Sequence, residues 1–366
     1  MAIRKNNTPA ATAAIVFAMA ISPAIVRAEL TRYHITDIGT LGGNLSIGND
    51  INSSGQIVGF STASTDSYGH GFSYTREGGI RDLGTFGHRE SNAYRINDFG
   101  QIAGWTDGTG PAFIRQPAGQ VDFIASDRED SQARGINNIG QIVGLRSNSP
   151  SQDPYVLQAF LYTSDSGASE IDSSWPSSAA YGINNAGQIV GSARLAIFSQ
   201  NESHAFVHTP GQGIEILETL GGLYGLASSI NDAGNVVGSS TISESGNIYH
   251  SFLYSRQRGM IDIGCSNCTA ADINNTNFVV GQDQVLGAFI YSSEVGLVSL
   301  QNLIPTDTQW QLAAASAIND NGQIVGSGRI NGETHAFLLT PVPEPSSLKY
   351  LLLGLLPFLT YLRRRH

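Results

Sequence analysis

Basic residues are scarce in this 366-residue chain, and several of them sit near its two ends. The sequence contains 20 lysines and arginines against 30 aspartates and glutamates. Seven of the basic residues lie within residues 1–28 or 349–366, which leaves a net charge near −17 (13 − 30) for the rest. Nucleic-acid binding requires a basic surface that neutralises phosphates. The composition therefore argues against a nucleic-acid partner and is typical of a soluble extracellular protein.

Sequence motifs of catalysis are also missing. The chain has no Gly-x-Ser-x-Gly nucleophile elbow, no His-Glu-x-x-His zinc motif and no phosphate-binding glycine loop followed by a helix. Turns such as Asn97-Asp98 lack the alternating carboxylates and the final glutamate of a calcium loop. We therefore predict no catalytic residues, no cofactor and no metal site, although sequence spacing does not exclude acidic residues gathered at a channel.

The chain has two cysteines, Cys265 and Cys268, in the segment Cys-Ser-Asn-Cys. In an oxidising compartment this spacing favours a local disulfide bond. A redox-active pair would need a helix N-terminus to lower the pKa of one thiol, and no helix is predicted here. A zinc site would need a second pair of ligands. The disulfide is therefore the preferred interpretation of the three.

The first 28 residues have the organisation of a secretory signal peptide. Arg4 and Lys5 precede an apolar run over residues 10–25, and Ala28 lies at the −1 position of a small-residue cleavage site before Glu29. The alternative is a first transmembrane helix, but the run is shorter than the ~20 residues that a span needs. We predict cleavage by signal peptidase after Ala28 and export of the remainder.

The C-terminus carries three elements in order. The motif Pro343-Glu344-Pro345 is followed by an apolar run of 13 residues, 350–362, and then by arginines at 363–365. At ~1.5 Å per residue, such a run reaches only ~20 Å of a ~30 Å hydrocarbon core, while the arginines stay on the cytoplasmic side. The arrangement resembles the PEP-CTERM sorting signal of Gram-negative bacteria. The resemblance implies a transient anchor in the inner membrane, cleavage by an exosortase and a final location at the cell surface or outside the cell.

Seven copies of a repeat occupy the middle of the chain. The element Ile-Asn-x-x-Gly-Gln-Ile-Val-Gly recurs at intervals of 40–47 residues, and each copy precedes a short segment centred on phenylalanine. The repeat asparagines are Asn52, Asn97, Asn137, Asn184, Asn231, Asn274 and Asn319, and the phenylalanines are Phe72, Phe113, Phe160, Phe206, Phe252, Phe289 and Phe337. Runs of four to seven residues bounded by Gly, Asn, Ser and Pro predict four strands per repeat. We name them a (leading into Ile-Asn), b (Gln-Ile-Val-Gly), c (the phenylalanine segment) and d (Asp-Leu-Gly-Thr or similar).

The Asn-x-x-Gly segment predicts a tight turn between strands a and b. Its asparagine can accept hydrogen bonds from the following backbone, and its glycine can adopt a positive φ. The sixth copy replaces this glycine with Asn277, the residue next most tolerant of a left-handed backbone.

The repeats resemble the bacterial extracellular HAF repeat over nearly all of residues 33–340. The resemblance implies a surface or secreted location and no known reaction. Histidine precedes Ala-Phe or its equivalent in four copies, at His70, His204, His250 and His335. Repeat symmetry would spread these side chains around the molecule, so we interpret them as structural residues and not as a shared metal site.

Four strands in ~40–45 residues is the size of a propeller blade. The seventh copy ends after strand c at Thr340, whereas an isolated strand d begins at Tyr33. Pairing of these two ends would complete one blade and leave no long exposed edge. We predict an all-β fold, a seven-bladed β-propeller with strand a innermost. It occupies residues 29–341, between the signal peptide (1–28) and the sorting signal (342–366).

Loop length varies in one part of each repeat. The distance from the last glycine of strand b to the phenylalanine of strand c ranges from 8 to 16 residues, whereas the a–b turn is constant. The b–c and d–a connections of a blade emerge on one face, here called the variable-loop face, and repeat proteins often bind there. The candidate binding residues are the aromatic residues Trp105, Tyr155, Trp175, Tyr249 and Trp310. Exposed rings beside Ser, Asn and Asp suit sugars; the alternative is that most of them pack over the core.

These observations favour a non-enzymatic surface or matrix protein that binds a glycan or an envelope protein through its variable-loop face. The alternative is a propeller-fold glycan lyase or hydrolase with acidic residues near the central channel. Two carboxylates and a histidine at the channel mouth would favour the enzyme. A flat aromatic and polar face without a perturbed titratable group would favour binding.

Overall fold

The computed structural model describes residues 31–343, apart from residues 65–67, 108–109, 125–129, 148–155, 195–201 and 245–247. Three of the predictions fall outside the described residues: the signal peptide with Ala28 and Glu29, the sorting-motif residues Glu344 and Pro345, and the binding residue Tyr155. Within the described part, the chain is all-β except for a 3-10 helix at Leu300–Leu303. None of its helices has the length and apolar character that a membrane span requires.

The described residues form 28 strands, most of which belong to four-stranded antiparallel sheets built from consecutive strands. Five such sheets stand alone: β6–β9 (Ser91–Ile96, Ile102–Thr106, Ala112–Arg115, Val121–Ile124), β10–β13 (Ser131–Ile136, Ile142–Ser147, Leu157–Thr163, Gly167–Glu170), β14–β17 (Ser177–Ile183, Ile189–Arg194, His204–Thr209, Gly213–Ile216), β18–β21 (Gly225–Ile230, Val236–Thr241, Tyr249–Ser255, Gly259–Asp262) and β22–β25 (Cys268–Ile273, Val279–Asp283, Gly287–Ser292, Gly296–Ser299). Within each sheet the four strands correspond to the predicted strands a to d.

An eight-stranded sheet joins the two ends of the chain. It contains β1 (Tyr33–Gly39), β2–β5 (Gly42–Ile51, Ile57–Ala63, Gly69–Thr75, Gly79–Gly84) and β26–β28 (Gln311–Ile318, Ile324–Ile330, Glu333–Pro341). Strand β1 runs antiparallel to β28, with Ile35 opposite Leu339. The predicted pairing of the first strand with the last repeat is therefore confirmed. The pairing ends at Gly39, and Leu41 forms a bridge with Ala63 of the first repeat.

The core of each repeat is a phenylalanine packed over a glycine. Gly104 of strand b lies opposite Phe113 of strand c. A Cβ atom at Gly104 would come within 2.8 Å of the Phe113 ring and 2.0 Å of the Asn92 carbonyl oxygen, so no larger residue fits. All seven repeat phenylalanines are fully buried. Burial of a side chain of this size contributes roughly 1.5–3 kcal/mol, which makes the Gly–Phe pair a main source of stability in every repeat.

The a–b turns have the predicted geometry. The side-chain Oδ1 of Asn97 accepts hydrogen bonds from the backbone N–H groups of Phe99 and Gln101, at 3.1 and 3.0 Å. The turn glycine Gly100 has a φ of +75°. In the sixth copy, Asn277 adopts a φ of +65°, as its position in the repeat predicts.

The seven turns are linked to one another through their asparagines. The Nδ2 of each repeat asparagine donates a hydrogen bond to the backbone carbonyl of the repeat asparagine in the following copy, at 3.0–3.2 Å. The last bond runs from Asn319 back to Asn52, so the seven bonds form a closed circle. We call this circle the asparagine ring. It explains why Ile-Asn is constant among the repeats: the asparagine both shapes its own turn and binds the next copy.

Candidate functional site

The inner strands enclose a central channel, and residues of all seven copies line its mouth on the side of the a–b turns. The residues that follow the asparagine ring form the rim: Ser53, Asp98, Asn138, Asn185, Asp232, Asn275 and Asp320. Six of their backbone N–H groups donate to the side chain of the next rim residue, at 2.8–3.0 Å.

The rim carboxylates are occupied by these structural bonds. Burial of Asp98 would raise its pKa, but hydrogen bonds from Ser53 and Asn138 outweigh this effect, and the pKa is lowered. The aspartates that follow the repeat asparagines therefore stabilise the turns of neighbouring copies.

Deeper in the channel, each inner strand presents the two residues that precede Ile-Asn. A β-bulge interrupts every inner strand at this point. Such bulges re-aim side chains. The pairs are Asn49-Asp50, Tyr94-Arg95, Arg134-Gly135, Tyr181-Gly182, Ser228-Ser229, Ala271-Asp272 and Ser316-Ala317. These positions vary among the copies, whereas the Ile-Asn that follows does not. The lining of the channel is thus where the repeats differ most in charge.

Two aspartates face the channel from different inner strands. The Asp50 carboxylate accepts hydrogen bonds from the backbone N–H groups of Ile51 and Ile96, at 2.9 and 2.8 Å. Its burial raises its pKa to about 7; the charge of Asp272 also raises it, and the charge of Arg95 lowers it. A carboxyl group with such a pKa changes its charge near neutral pH.

The second aspartate is held in a similar way. Asp272 accepts hydrogen bonds from the Ser229 hydroxyl at 2.7 Å and from the backbone N–H of Ile318 at 2.9 Å. Each channel aspartate therefore also ties its strand to a neighbouring copy of the repeat.

Two arginines and two aromatic rings form a second group, here called the channel cluster: Tyr94, Arg95, Trp105 and Arg134. The Arg95 and Arg134 guanidinium carbons lie 4.5 and 4.8 Å from the centre of the Tyr94 ring. Arg134 also lies 4.3 Å from the Trp105 ring, which is itself 4.9 Å from Tyr94. Burial would raise the pKa of Tyr94, but the two positive charges outweigh it, and the pKa is lowered.

A groove on the variable-loop face leads to this cluster. The ring of Tyr249 is 41% exposed at the groove's outer end, beside Asn267 and Gln284. Thr269 and Gln282 line both the groove and the channel cavity that Tyr94, Arg95 and Arg134 also line. The groove and the channel cavity are therefore adjacent and share polar lining residues.

The predicted aromatic residues differ in their exposure to solvent. Trp175 and Trp310 are buried, with 7% and 6% exposure, so the expectation that they are exposed for binding is wrong. Trp175 packs on Phe206 at 4.9 Å, and Trp310 packs edge-on against Phe337. Both are covered because the loops that carry them fold back over the core. Trp105 is half-buried within the channel cluster, and Tyr249 is exposed in the groove.

The repeat histidines lie away from the channel. His70, His250 and His335 each place Nδ1 within 2.8–3.0 Å of an aspartate on the adjoining strand d. This arrangement agrees with the structural interpretation. No histidine occurs among the described residues that line the channel, so the predicted enzyme signature is represented there by carboxylates alone.

Cys265 and Cys268 form a disulfide bond. Their sulfur atoms and the Asp283 carboxylate lie within 4.8 Å of one another, the one such group of potential metal ligands in the described part of the chain. While the disulfide is intact, the sulfurs cannot act as thiolate ligands.

The channel residues are the candidate site that sequence reasoning missed. The signal was present in the alignment of the repeats: Asp50, Arg95 and Asp272 are charged at a position where other copies carry Gly, Ser or Ala.

The arrangement of four-stranded sheets around a channel defines a β-propeller. The sequence matches no family model, and no curated protein matches it. Virginiamycin B lyase from Staphylococcus aureus, solved as its H270A variant with quinupristin, superposes with a TM-score of 0.53 at 12% identity, covering 85% of this chain and all of the lyase. A gluconolactonase from Xanthomonas campestris gives a TM-score of 0.42 at 10% identity, covering 86% of this chain and 91% of its own. At these identities the first similarity supports the fold alone.

Proposed function

We propose that this chain is an exported, non-enzymatic protein that binds a glycan along the groove from Tyr249 to the channel. The observation that carries this proposal is the exposed Tyr249 ring, set beside amide side chains in a groove on the variable-loop face. Aromatic rings pack against the apolar faces of sugars, and amides satisfy their hydroxyl groups. An envelope protein is the other partner that the sequence suggests, but a narrow polar groove suits an extended chain of sugars better than a flat protein surface.

We also infer a ring of seven blades. The eight-stranded sheet would then be two adjacent blades, one formed by β26–β28 with β1 and the other by β2–β5. This inference is supported by the link between its halves, a parallel pair at Leu45 and Thr334. The seven members of the asparagine ring support the same count.

Export completes the proposal. The signal peptide predicted to end at Ala28 and the resemblance of Pro343-Glu344-Pro345 to a sorting motif support it, as does the scarcity of basic residues. Mass spectrometry of protein recovered outside the cells should find Glu29 at its start and the apolar tail removed. Recovery of protein that still ends at His366 would contradict this processing.

Binding is tested by a glycan array, followed by titration of the best glycan into the Tyr249→Ala variant. A stacking ring contributes roughly 1 kcal/mol, so affinity should fall several-fold with little change in melting temperature. Tyr68→Ala, which removes a tyrosine of similar exposure (37%) outside this groove, is the matched control. Equal affinity of wild type and Tyr249→Ala would show that the groove is the wrong surface.

The channel favours a second candidate, a glycan lyase or hydrolase. Asp50, with a pKa of about 7, could exchange protons near neutral pH, and the lowered pKa of Tyr94 would make its phenolate more accessible. The test is to incubate the glycan that binds best and to measure new reducing ends and the ultraviolet absorbance of an unsaturated product. Turnover that is lost in Asp50→Asn or Tyr94→Phe would replace the binding function with the enzymatic one.

A further inference from the structure

We propose that Arg95 and Arg134 form an anion-binding subsite in the channel, and that the glycan therefore carries carboxylate groups, as a uronic acid does. This inference rests on the proposed glycan-binding function and specifies its ligand.

The two arginines have hydrogen-bonding capacity that the protein does not use. A guanidinium group has five N–H donors. Arg95 donates from Nη1 to the Tyr94 carbonyl at 3.3 Å and Arg134 donates from Nη2 to the Gln132 side chain, and each guanidinium also hydrogen-bonds the Tyr94 side chain, which leaves several of the N–H groups free for a ligand. The Nε of Arg134 is buried and has no partner. Within the described residues neither guanidinium forms an ion pair, in contrast to Arg146, which pairs with Glu170 at 3.4 Å.

The protein holds both guanidinium groups in place through aromatic rings. Both lie against Tyr94, and Arg134 also lies against Trp105. A stacked arginine retains its in-plane N–H groups, which match the two oxygens of a carboxylate. Because the side chains are already ordered, less conformational entropy is lost when the anion binds.

The rest of the cavity suits a sugar. It encloses about 320 Å³, and its lining includes the polar side chains of Asn49, Ser228, Thr269 and Gln282. Tyr181 lines the same cavity and supplies a further ring. Thr269 and Gln282 continue into the groove that holds Tyr249, so a chain of sugars in the groove would place one residue beside the arginines.

The charges that line the cavity favour a sugar residue with a single negative charge beside the arginines. Arg95 and Arg134 contribute two positive charges to the channel, and Asp50 and Asp272 contribute up to two negative ones. A carboxylate or a sulfate ester adds one negative charge, whereas a phosphate adds nearly two and would be repelled more strongly by the aspartates. We favour the carboxylate because its planar pair of oxygens fits the guanidinium edge.

The test compares glycans that differ only in charge. Polygalacturonate and its fully methyl-esterified form share one backbone, and dextran with dextran sulfate provides the second pair. Affinities for the full mature protein are measured by titration calorimetry. We expect at least tenfold tighter binding of polygalacturonate than of its ester, and a smaller preference for dextran sulfate over dextran. Tighter binding of dextran sulfate than of polygalacturonate would identify the anion as a sulfate and overturn the choice of a uronic acid.

The variants Arg134→Gln and Arg95→Gln should each remove most of the preference for the acidic form and leave the affinity for the ester unchanged. Arg256→Gln, whose side chain is 72% exposed on another surface, is the control and should retain the preference. If a glutamine variant melts at a much lower temperature than wild type, two measurements still decide the outcome. The first is the affinity of Arg134→Lys for polygalacturonate and its ester, and the second is the same comparison on wild type. Equal binding of both forms by wild type would overturn the subsite but leave glycan binding intact, and no binding of any glycan would refute both.

Discussion

The Nδ1 of His335 lies 3.0 Å from the carboxylate of Asp37, although the two residues are 298 positions apart. His335 belongs to β28 in the last repeat and Asp37 to β1 at the beginning of the described chain. The same histidine–aspartate pair occurs within single copies, as in His250 and Asp262 at 2.8 Å. The first strand of the described chain therefore supplies the last repeat with the contact that other repeats make internally.

Removal of the first strand should prevent this closure. Deletion of residues 29–43 would leave β28 with an unpaired edge and uncover the core around Leu338 and Leu339, against which Ile38 and Tyr33 pack. We expect the variant to unfold at a much lower temperature or to associate through the open edge. Melting curves and light scattering after size-exclusion chromatography test this, with Asp37→Ala as a milder variant that keeps the strand but loses the contacts of its carboxylate with His335 and the Gly39 N–H. A monomeric deletion variant as stable as wild type would contradict the closure.

The asparagine ring should contribute more to stability than its exposed neighbours. In Asn184→Ala, the N–H groups of Ala186 and Gln188 lose an acceptor, and the carbonyl of Asn231 loses a donor. Buried groups left without partners cost about 1–3 kcal/mol each, so we expect a loss of about 2–4 kcal/mol in the free energy of unfolding. Asn185→Ala, which removes the exposed side-chain hydrogen bonds from the Asn138 N–H and to Asp232, should cost less than about 1 kcal/mol. Urea denaturation of both variants measures the difference; equal losses would remove the special role of the ring.

The repeats, the four strands of each copy and the closure by the first strand could all be predicted from sequence, because Gly, Asn and Phe recur in phase and their local geometry is specific. Asn277 illustrates this, since its left-handed backbone followed from its position in the repeat alone. The exposure of individual aromatic residues could not be predicted. Trp310 and Tyr249 both follow loops of variable length, and only tertiary packing buries one and leaves the other in a groove. The channel cluster depends on contacts between different copies, such as Arg134 with Tyr94, which no single repeat contains.

The two aromatic residues should respond in opposite ways to truncation. The Trp310 side chain packs against Phe337, and the residue is only 6% exposed. Trp310→Ala should therefore reduce the free energy of unfolding by about 3–5 kcal/mol. Tyr249→Ala should change it by less than about 1 kcal/mol, since the ring is 41% exposed. Chemical denaturation measures both; a small loss for Trp310→Ala would restore that residue as a candidate for binding.

The channel aspartate should make stability depend on pH in an unusual direction. The pKa of Asp50 is raised in the folded protein from 3.8 to about 7, mainly by burial, with Arg95 on the next copy and Asp272 on the sixth copy as the charged groups that act on it. The protonated form is therefore favoured by folding, and its contribution to stability is fully present below pH ~4 and is lost as the pH rises towards 7. Relative to Asp50→Asn, the free energy of unfolding of the wild type should fall by about 2 kcal/mol between pH 4 and pH 8. This is less than the full change in pKa would give, because the channel admits solvent.

Asp98→Asn is a control of opposite sign. The pKa of Asp98 is lowered, so its contribution to stability is present at neutral pH and is lost as the pH falls below the ordinary pKa of an aspartate. Urea denaturation of the wild type and both variants at intervals across this range measures the two slopes. If the wild type and Asp50→Asn differ by a constant amount at every pH, the carboxyl group of Asp50 titrates normally and the channel does not retain its proton.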